Sequence, residues 1–168
     1  MTLAFSTTWP KHMPAHMASQ PTNFVAKIMR CISYGFTSID GPIAPCQAHL
    51  NQAYEKGVLE YGWARNHKKA HTIREDSKDL WKAGRDIHFV INNRTKQRFQ
   101  FAPVVKCVSV QKVEISFMND VLVDGRELSF NEIEVLAKND GFDSVEDFFS
   151  WFNKDFTGKI IHWTNLKY

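Results

Sequence analysis

The chain is short of the residues that staple small folds or hold metals. Its 168 residues include three cysteines, Cys31, Cys46 and Cys107, an odd and widely spaced set with no Cys-x-x-Cys pair. That pattern argues against structural zinc and against thioredoxin-type chemistry, and it fits reduced, buried thiols in a cytoplasm. No apolar run approaches the ~20 residues of a membrane span. The opening "MTLAFSTTWPKHMP" lacks a charged leader followed by a long apolar run, so no secretory signal is expected. Internal repeats and low-complexity tracts are missing too. There is no phosphate-cradling glycine loop and no Gly-x-Ser-x-Gly elbow. The zinc-deaminase signature fails because Pro45-Cys46 has no second cysteine. His67 and His71 are four apart, a metal spacing only on a helix, whereas "TIR" reads as strand. No metal and no cofactor is expected.

What is present is core-forming material. Hydrophobic residues make up 43% and aromatics 13%, with 13 Phe and 5 Trp. A chain of this length can bury a core without staples, and one compact domain with room for a small second lobe is the default. The net charge of +3 permits an anionic partner without demanding one.

Along the chain, Leu3 to Phe5 suggests a first strand. Thr22 caps a helix whose face is Phe24, Val25, Ile28 and Met29. "YGFTSIDGPIAP" reads as loop, with a turn at Asp40-Gly41. A second helix is expected from Cys46 to Leu59, grouping Leu50, Tyr54 and Val58. The second half is mostly sheet. In "WKAGRDIHFVINN" a turn at Ala83-Gly84 leads to a strand with Ile87, Phe89 and Ile91 on one face and His88 and Val90 on the other. The extended run from Arg98 to Phe117 breaks at Pro103. Val108 and Val110 share one parity, Val113 and Ile115 the other, and this slip near Gln111-Lys112 suggests a β-bulge. "VLVDGREL" is a hairpin with a primed turn at Asp124-Gly125. Ser129 with Glu132 forms a capping box opening a helix that ends at "NDG". Ser144 opens another, with Val145, Phe148, Phe149 and Phe152 as its apolar face. "GKIIHWTNLKY" is a closing strand with Ile161 and Trp163 inward. Many short strands with a few helices read as α+β around a small barrel.

"KKAHTIRED", residues 68 to 76, crowds Lys68, Lys69, His71, Arg74, Glu75 and Asp76 around the strand-formers Thr72 and Ile73. On residue type alone this is a solvated strand face. The ordered pieces "KAHTIR", "WKAGRDIHF", "KCVSVQKVEI", "AKNDGF" and "SVEDFFSWF" together resemble an ASCH domain of the PUA-like superfamily. The turn here, Gly84-Arg85-Asp86, is one residue longer than the family's Gly-Asp. The resemblance implies a small PUA-like β-barrel over residues 61–168, with residues 1–60 a helical extension packed on it, as in ASCH-like proteins of bacterial and phage genomes. It also implies a cytoplasmic chain of a bacterium or a phage-infected cell. The expected function is binding of RNA, DNA or a modified nucleoside in the barrel cleft, with Lys69, Thr72, Arg74 and Asp140 lining it and His71 beside them.

One ASCH branch hydrolyses N4-acetylcytidine without metal. Carried over, its lysine falls on Lys69, its threonine on Thr72 and its acid on Asp140. Lys69 would be the base, Thr72 the nucleophile and Asp140 the proton shuttle. Here the acid is aspartate where that branch has glutamate, one methylene shorter, and about 1 Å of misplacement costs about a hundredfold. A third reading is a phage or mobile-element interaction protein without ligand chemistry, its extension bearing an apolar patch. Arg94, Lys96 and Arg98 at "NNRTKQRF" read first as a solvated hairpin turn; as a functional element they would touch phosphates. Trp9, Trp63 and Trp81 are candidates for base stacking, with core packing the commoner role for each.

Overall fold

A computed structural model describes residues 1–33, 46–60 and 62–168. The expected Asp40-Gly41 turn lies outside the described residues. In chain order the elements are β1 (Thr2–Ala4), α1 (Phe24–Ser33), α2 (Cys46–Glu55), a 3-10 turn (Trp63–Arg65), β2 (His71–Arg74), β3 (Asp86–Ile91), β4 (Phe99–Gln100), β5 (Val105–Lys106), β6 (Ser109–Ile115), β7 (Val121–Val123), β8 (Arg126–Glu127), α3 (Phe130–Asn139), α4 (Val145–Trp151) and β9 (Phe156–His162). The class is mixed α+β. The strands form two sheets, and neither closes on itself among the described residues. No described helix is long and apolar enough to cross a membrane. The chain divides into two compact units, passing between them after Lys69, Arg85 and Lys106.

Unit 1 comprises Met1–Lys69 and Asp86–Lys106. Its sheet is ordered β1-β3-β4, with β5 also paired to β3. β1 runs parallel to β3, Leu3 opposite Phe89. Ile87, Phe89 and Ile91 are buried as their alternation requires, but Val90 is buried as well. A strand covered on both faces reads as a continuous apolar run, so alternation is a poor guide to β3. Phe5 gathers Phe24, Phe89 and Phe101 at ring-centroid distances of 6.2, 6.0 and 6.1 Å. The Thr22 hydroxyl accepts the Phe24 amide and donates to the Ser6 carbonyl, tying the start of α1 to the chain after β1. Six apolar side chains of α1 are buried, Val25, Ala26, Ile28, Met29, Cys31 and Ile32. α2 stops at Glu55, short of the expected Leu59, just before Gly57 at φ 65°. It buries Cys46 and Ala53 and leaves Tyr54 exposed, against expectation.

Unit 2 comprises Ala70–Arg85 and Cys107–Tyr168. Its sheet is ordered β2-β9-β6-β7-β8. The register of β6 on β9 runs unbroken from Ser109 opposite His162 to Ile115 opposite Phe156. The expected bulge is therefore absent from this pairing. The parity slip has another cause: Gln111, a polar residue, shares the buried face with Val113 and Ile115, while Val108 is exposed. Gln111 is kept inside by hydrogen bonds, donating to Asp124 Oδ2 and the Tyr168 carbonyl and accepting the Tyr168 amide. The β7-β8 turn has Asp124 at φ 51° and Gly125 at φ 83°, the two left-handed positions that a primed turn demands. Glu132 accepts the amide and hydroxyl of Ser129 at the head of α3, and Ser144 accepts the Asp147 amide at the head of α4. Phe148 and Phe152 are buried with ring centroids 4.8 Å apart. In β9 both Ile160 and Ile161 are buried, and Trp163 is buried just past the strand.

Candidate functional site

The site in unit 2 is built around Asp140, and local chain chemistry puts it there. α3 ends in the sequence Lys138-Asn139-Asp140-Gly141-Phe142. Gly141 adopts φ 98°. Its amide donates to the Lys138 carbonyl, and the Phe142 amide donates to the Ala137 carbonyl. These two bonds are the Schellman pattern, which only a residue tolerant of positive φ can close. The motif turns the chain at Asp140, the helix C-cap.

Strand β2 is an outer strand of its sheet, with β9 on one side only. Asp140 Oδ1 accepts the Ile73 amide at 3.1 Å, and the Asn139 carbonyl accepts the Ala70 amide at 2.8 Å. The end of α3 thus satisfies the outward amide of Ile73 in β2 and that of Ala70 just before the strand, a standard protection for a sheet edge. The same Asp140 oxygen lies 3.7 Å from His71 Nδ1. His71 Nε2 is 2.8 Å from the Tyr168 hydroxyl, which also accepts from Asn139 Nδ2 at 3.1 Å. His71 is fully buried, and its ring meets those of His162 and Tyr168 at 5.3 and 5.4 Å.

Acid, imidazole and hydroxyl in a row is the order of an activated nucleophile, but the electrostatics here run the other way. Burial pushes the Tyr168 phenol well above its ordinary pKa, so it stays protonated. Burial, with the charge of His71 adding to it, pushes His162 down to about 3 and keeps it neutral. The array is suited to holding β2 and presenting hydrogen-bonding groups rather than to generating an oxyanion.

Of the residues singled out by sequence, Asp140 and His71 come together here. Thr72 is 3% exposed and sits opposite Ile161, so the pleat turns it and Arg74 to the other face of β2 from His71. Burial lowers the Arg74 pKa, and the charge of Asp140 pulls it back up. Trp81 is buried, its amide donating to Asp76. Lys69 belongs to unit 1, where it is 1% exposed with its amine 4.8 Å from the Phe24 ring centroid. Arg94, Lys96 and Arg98 of unit 1 are exposed on the turn between β3 and β4.

His162, Asn139 and Tyr168 carried no signal in the sequence. Their roles depend on strand pairing and on the chain after β9, neither of which periodicity reveals. The units also differ in charge. Unit 1 has eleven Lys and Arg against four Asp and Glu, net +7, and unit 2 has ten against fourteen, net −4. Among the described residues no cluster of three or more His, Cys, Asp or Glu side chains is placed to hold a metal. Comparisons with protein-family models, with curated proteins and with solved structures find no match for this chain.

Proposed function

We propose that the chain binds nucleic acid or a modified nucleoside, as an ASCH-type protein of the PUA-like superfamily whose barrel wall is the sheet of unit 2. The observation that carries this reading is the charge partition: a mildly basic chain concentrates a net +7 in unit 1. Three of those cations, Arg94, Lys96 and Arg98, stand exposed on one short turn, and Lys56 lies 5.3 Å from the centroid of the neighbouring Phe99 ring. Exposed cations on a turn neutralise phosphates and fix a strand without reading its sequence. The contact of Asp140 with the Ile73 amide supports the family alignment, which set the acidic residue against the "KAHTIR" strand. The test is fluorescence anisotropy of labelled single-stranded RNA and DNA. Binding is expected to weaken with salt and to weaken further in Arg94→Gln/Lys96→Gln/Arg98→Gln. Binding indifferent to salt, or none, opposes the reading.

A second reading, metal-free hydrolysis of N4-acetylcytidine or a related small amide, is favoured by one observation. Lys69, Thr72 and Asp140 are each at most 5% exposed, and burial is the condition under which a lysine becomes a usable base. Release of cytidine from N4-acetylcytidine, lost in Lys69→Ala and Thr72→Ala, is the expected result. A flat time course at high protein concentration rules it out. For the interaction-protein reading, the described residues of 1–60 offer one exposed large apolar side chain, Tyr54.

A further inference from the structure

Unit 1 holds a cavity of about 560 Å³ where the opening of α1, the exit of α2, the 3-10 turn and the end of β3 meet. Its size falls within the roughly 300–1,000 Å³ of small-ligand sites. The lining is ordered. Val25, Ala26, Leu59 and Ile91 form an apolar base, all buried. Phe24 and Trp63, both half-buried, supply aromatic surface. Asn23, Asn92 and Glu60 stand exposed at the margin, and their side chains make no hydrogen bond within the described residues.

The chemistry of that lining excludes one class of occupant and favours another. Among the described residues no lysine, arginine or histidine lines the cavity, and Glu60 is the one charged side chain that does. A phosphate inside would face that carboxylate with no cation in the described lining, since the Lys69 amine, 4.8 Å from the Phe24 ring centroid, is not part of it. A neutral planar group would meet the aromatic surface of Phe24 and Trp63, amide groups that both donate and accept, and a carboxylate that only accepts. The first turn of α1 adds backbone donors and contains no acidic side chain that would compete for them. An acceptor-only carboxylate beside carboxamides matches a heterocycle edge bearing an amino group next to a ring acceptor. Cations flank this lining along the chain: exposed Lys56 precedes Gly57, exposed Arg65 precedes Asn66, and exposed Arg94 follows Asn92 by two residues.

We propose that this cavity receives one unpaired nucleobase carrying an exocyclic amino group, cytosine or adenine, from a single strand whose phosphates follow the flanking cations. The proposal rests on the nucleic-acid reading above and adds base selectivity to it, at residues other than those of the "KAHTIR" strand.

The test compares short labelled oligo(C), oligo(A) and oligo(U) on the full chain. Oligo(C) and oligo(A) are expected to bind about tenfold tighter than oligo(U). Glu60→Gln is the informative variant, because it removes a negative charge from an exposed side chain that makes no hydrogen bond or ion pair among the described residues. If phosphates alone drive binding, it strengthens all three oligomers alike. If the cavity reads the amino group, it weakens oligo(C) relative to oligo(U) and brings the ratio toward one. Trp63→Leu is expected to weaken oligo(C) about tenfold, with circular dichroism and Tm checking that it folds. Equal binding of the three oligomers, or a uniform gain in Glu60→Gln, overturns the cavity proposal and leaves the nucleic-acid reading standing. Failure to bind any oligomer sinks that reading instead. The cavity is then judged by NMR shifts with saturating free cytidine against uridine: shifts at Trp63 with cytidine alone uphold it, and none overturns it.

Discussion

His162 is fully buried, and neither ring nitrogen has a hydrogen-bond partner among the described residues. Leaving a buried polar group unmet costs about 1–3 kcal/mol, whereas an apolar group of like shape has no such cost. Its folded pKa of about 3 lies below the ~6.5 of an unfolded histidine. Between those values the unfolded chain binds the extra proton. Stability from this group is therefore intact above pH ~6.5 and falls as pH drops toward 3, by up to about 1.4 kcal/mol per pH unit. His162→Phe is expected to unfold at a urea midpoint no lower than the parent at pH 7, and to lose less between pH 6.5 and 4. Parallel losses in the two proteins would show that His162 is not the acid-sensitive group.

Asp140 separates structural from chemical roles in the same way. Asp140→Ala strands the Ile73 amide, costing about 1–3 kcal/mol and speeding hydrogen exchange there. Asp140→Asn keeps an acceptor and should remain close to the parent in stability. If the hydrolytic reading is right, Asp140→Asn loses cytidine release while keeping its Tm. If Asp140→Ala is as stable as the parent, Asp140 does not cap the β2 edge.

At the level of elements, what was legible had local causes. Asp124-Gly125 specified its turn because two left-handed residues in a row admit few other sequences. "NDGF" specified the end of α3 and so the placement of Asp140, for the same reason. What was not legible depended on residues far apart in the chain. Gln111 looked like the edge of a bulge because the groups that satisfy it, on Asp124 and Tyr168, lie 13 and 57 residues away. The loop after β2 is held by Asp76, which accepts the Leu80 and Trp81 amides and pairs with Lys159 at 3.0 Å, another partner invisible to periodicity. Gly158 is the sharpest case. In the sequence it is one weak residue in a strand, yet a Cβ there would overlap the Arg74 carbonyl oxygen and sit 2.7 Å from the Phe156 ring. Gly158→Ala must therefore shift β2 or Phe156. A loss of about 1–3 kcal/mol is expected despite the better strand propensity of alanine. Denaturant unfolding reads it, and a neutral or stabilising result would mean that β2 yields freely.

For the whole molecule, the charge partition escaped a reading along the chain because unit 1 is discontinuous. The cations of 94–106 belong with those of 11–69, and the stretch between carries Glu75, Asp76 and Asp79 into unit 2. A net charge of +3 conceals this. Binding to a single strand should lose about 0.7 in the slope of log K against log salt for each phosphate contact removed. If Arg94, Lys96 and Arg98 each meet one phosphate, their triple replacement by glutamine makes the slope shallower by about 2. An equal charge change in unit 2, Lys78→Gln/Lys82→Gln/Lys167→Gln, alters the total charge identically and should leave the slope where it was, since all three are exposed cations of the acidic unit. The comparison separates a local phosphate track from general attraction between a basic chain and a polyanion. If both triple variants flatten the slope alike, only net charge matters and unit 1 has no dedicated surface.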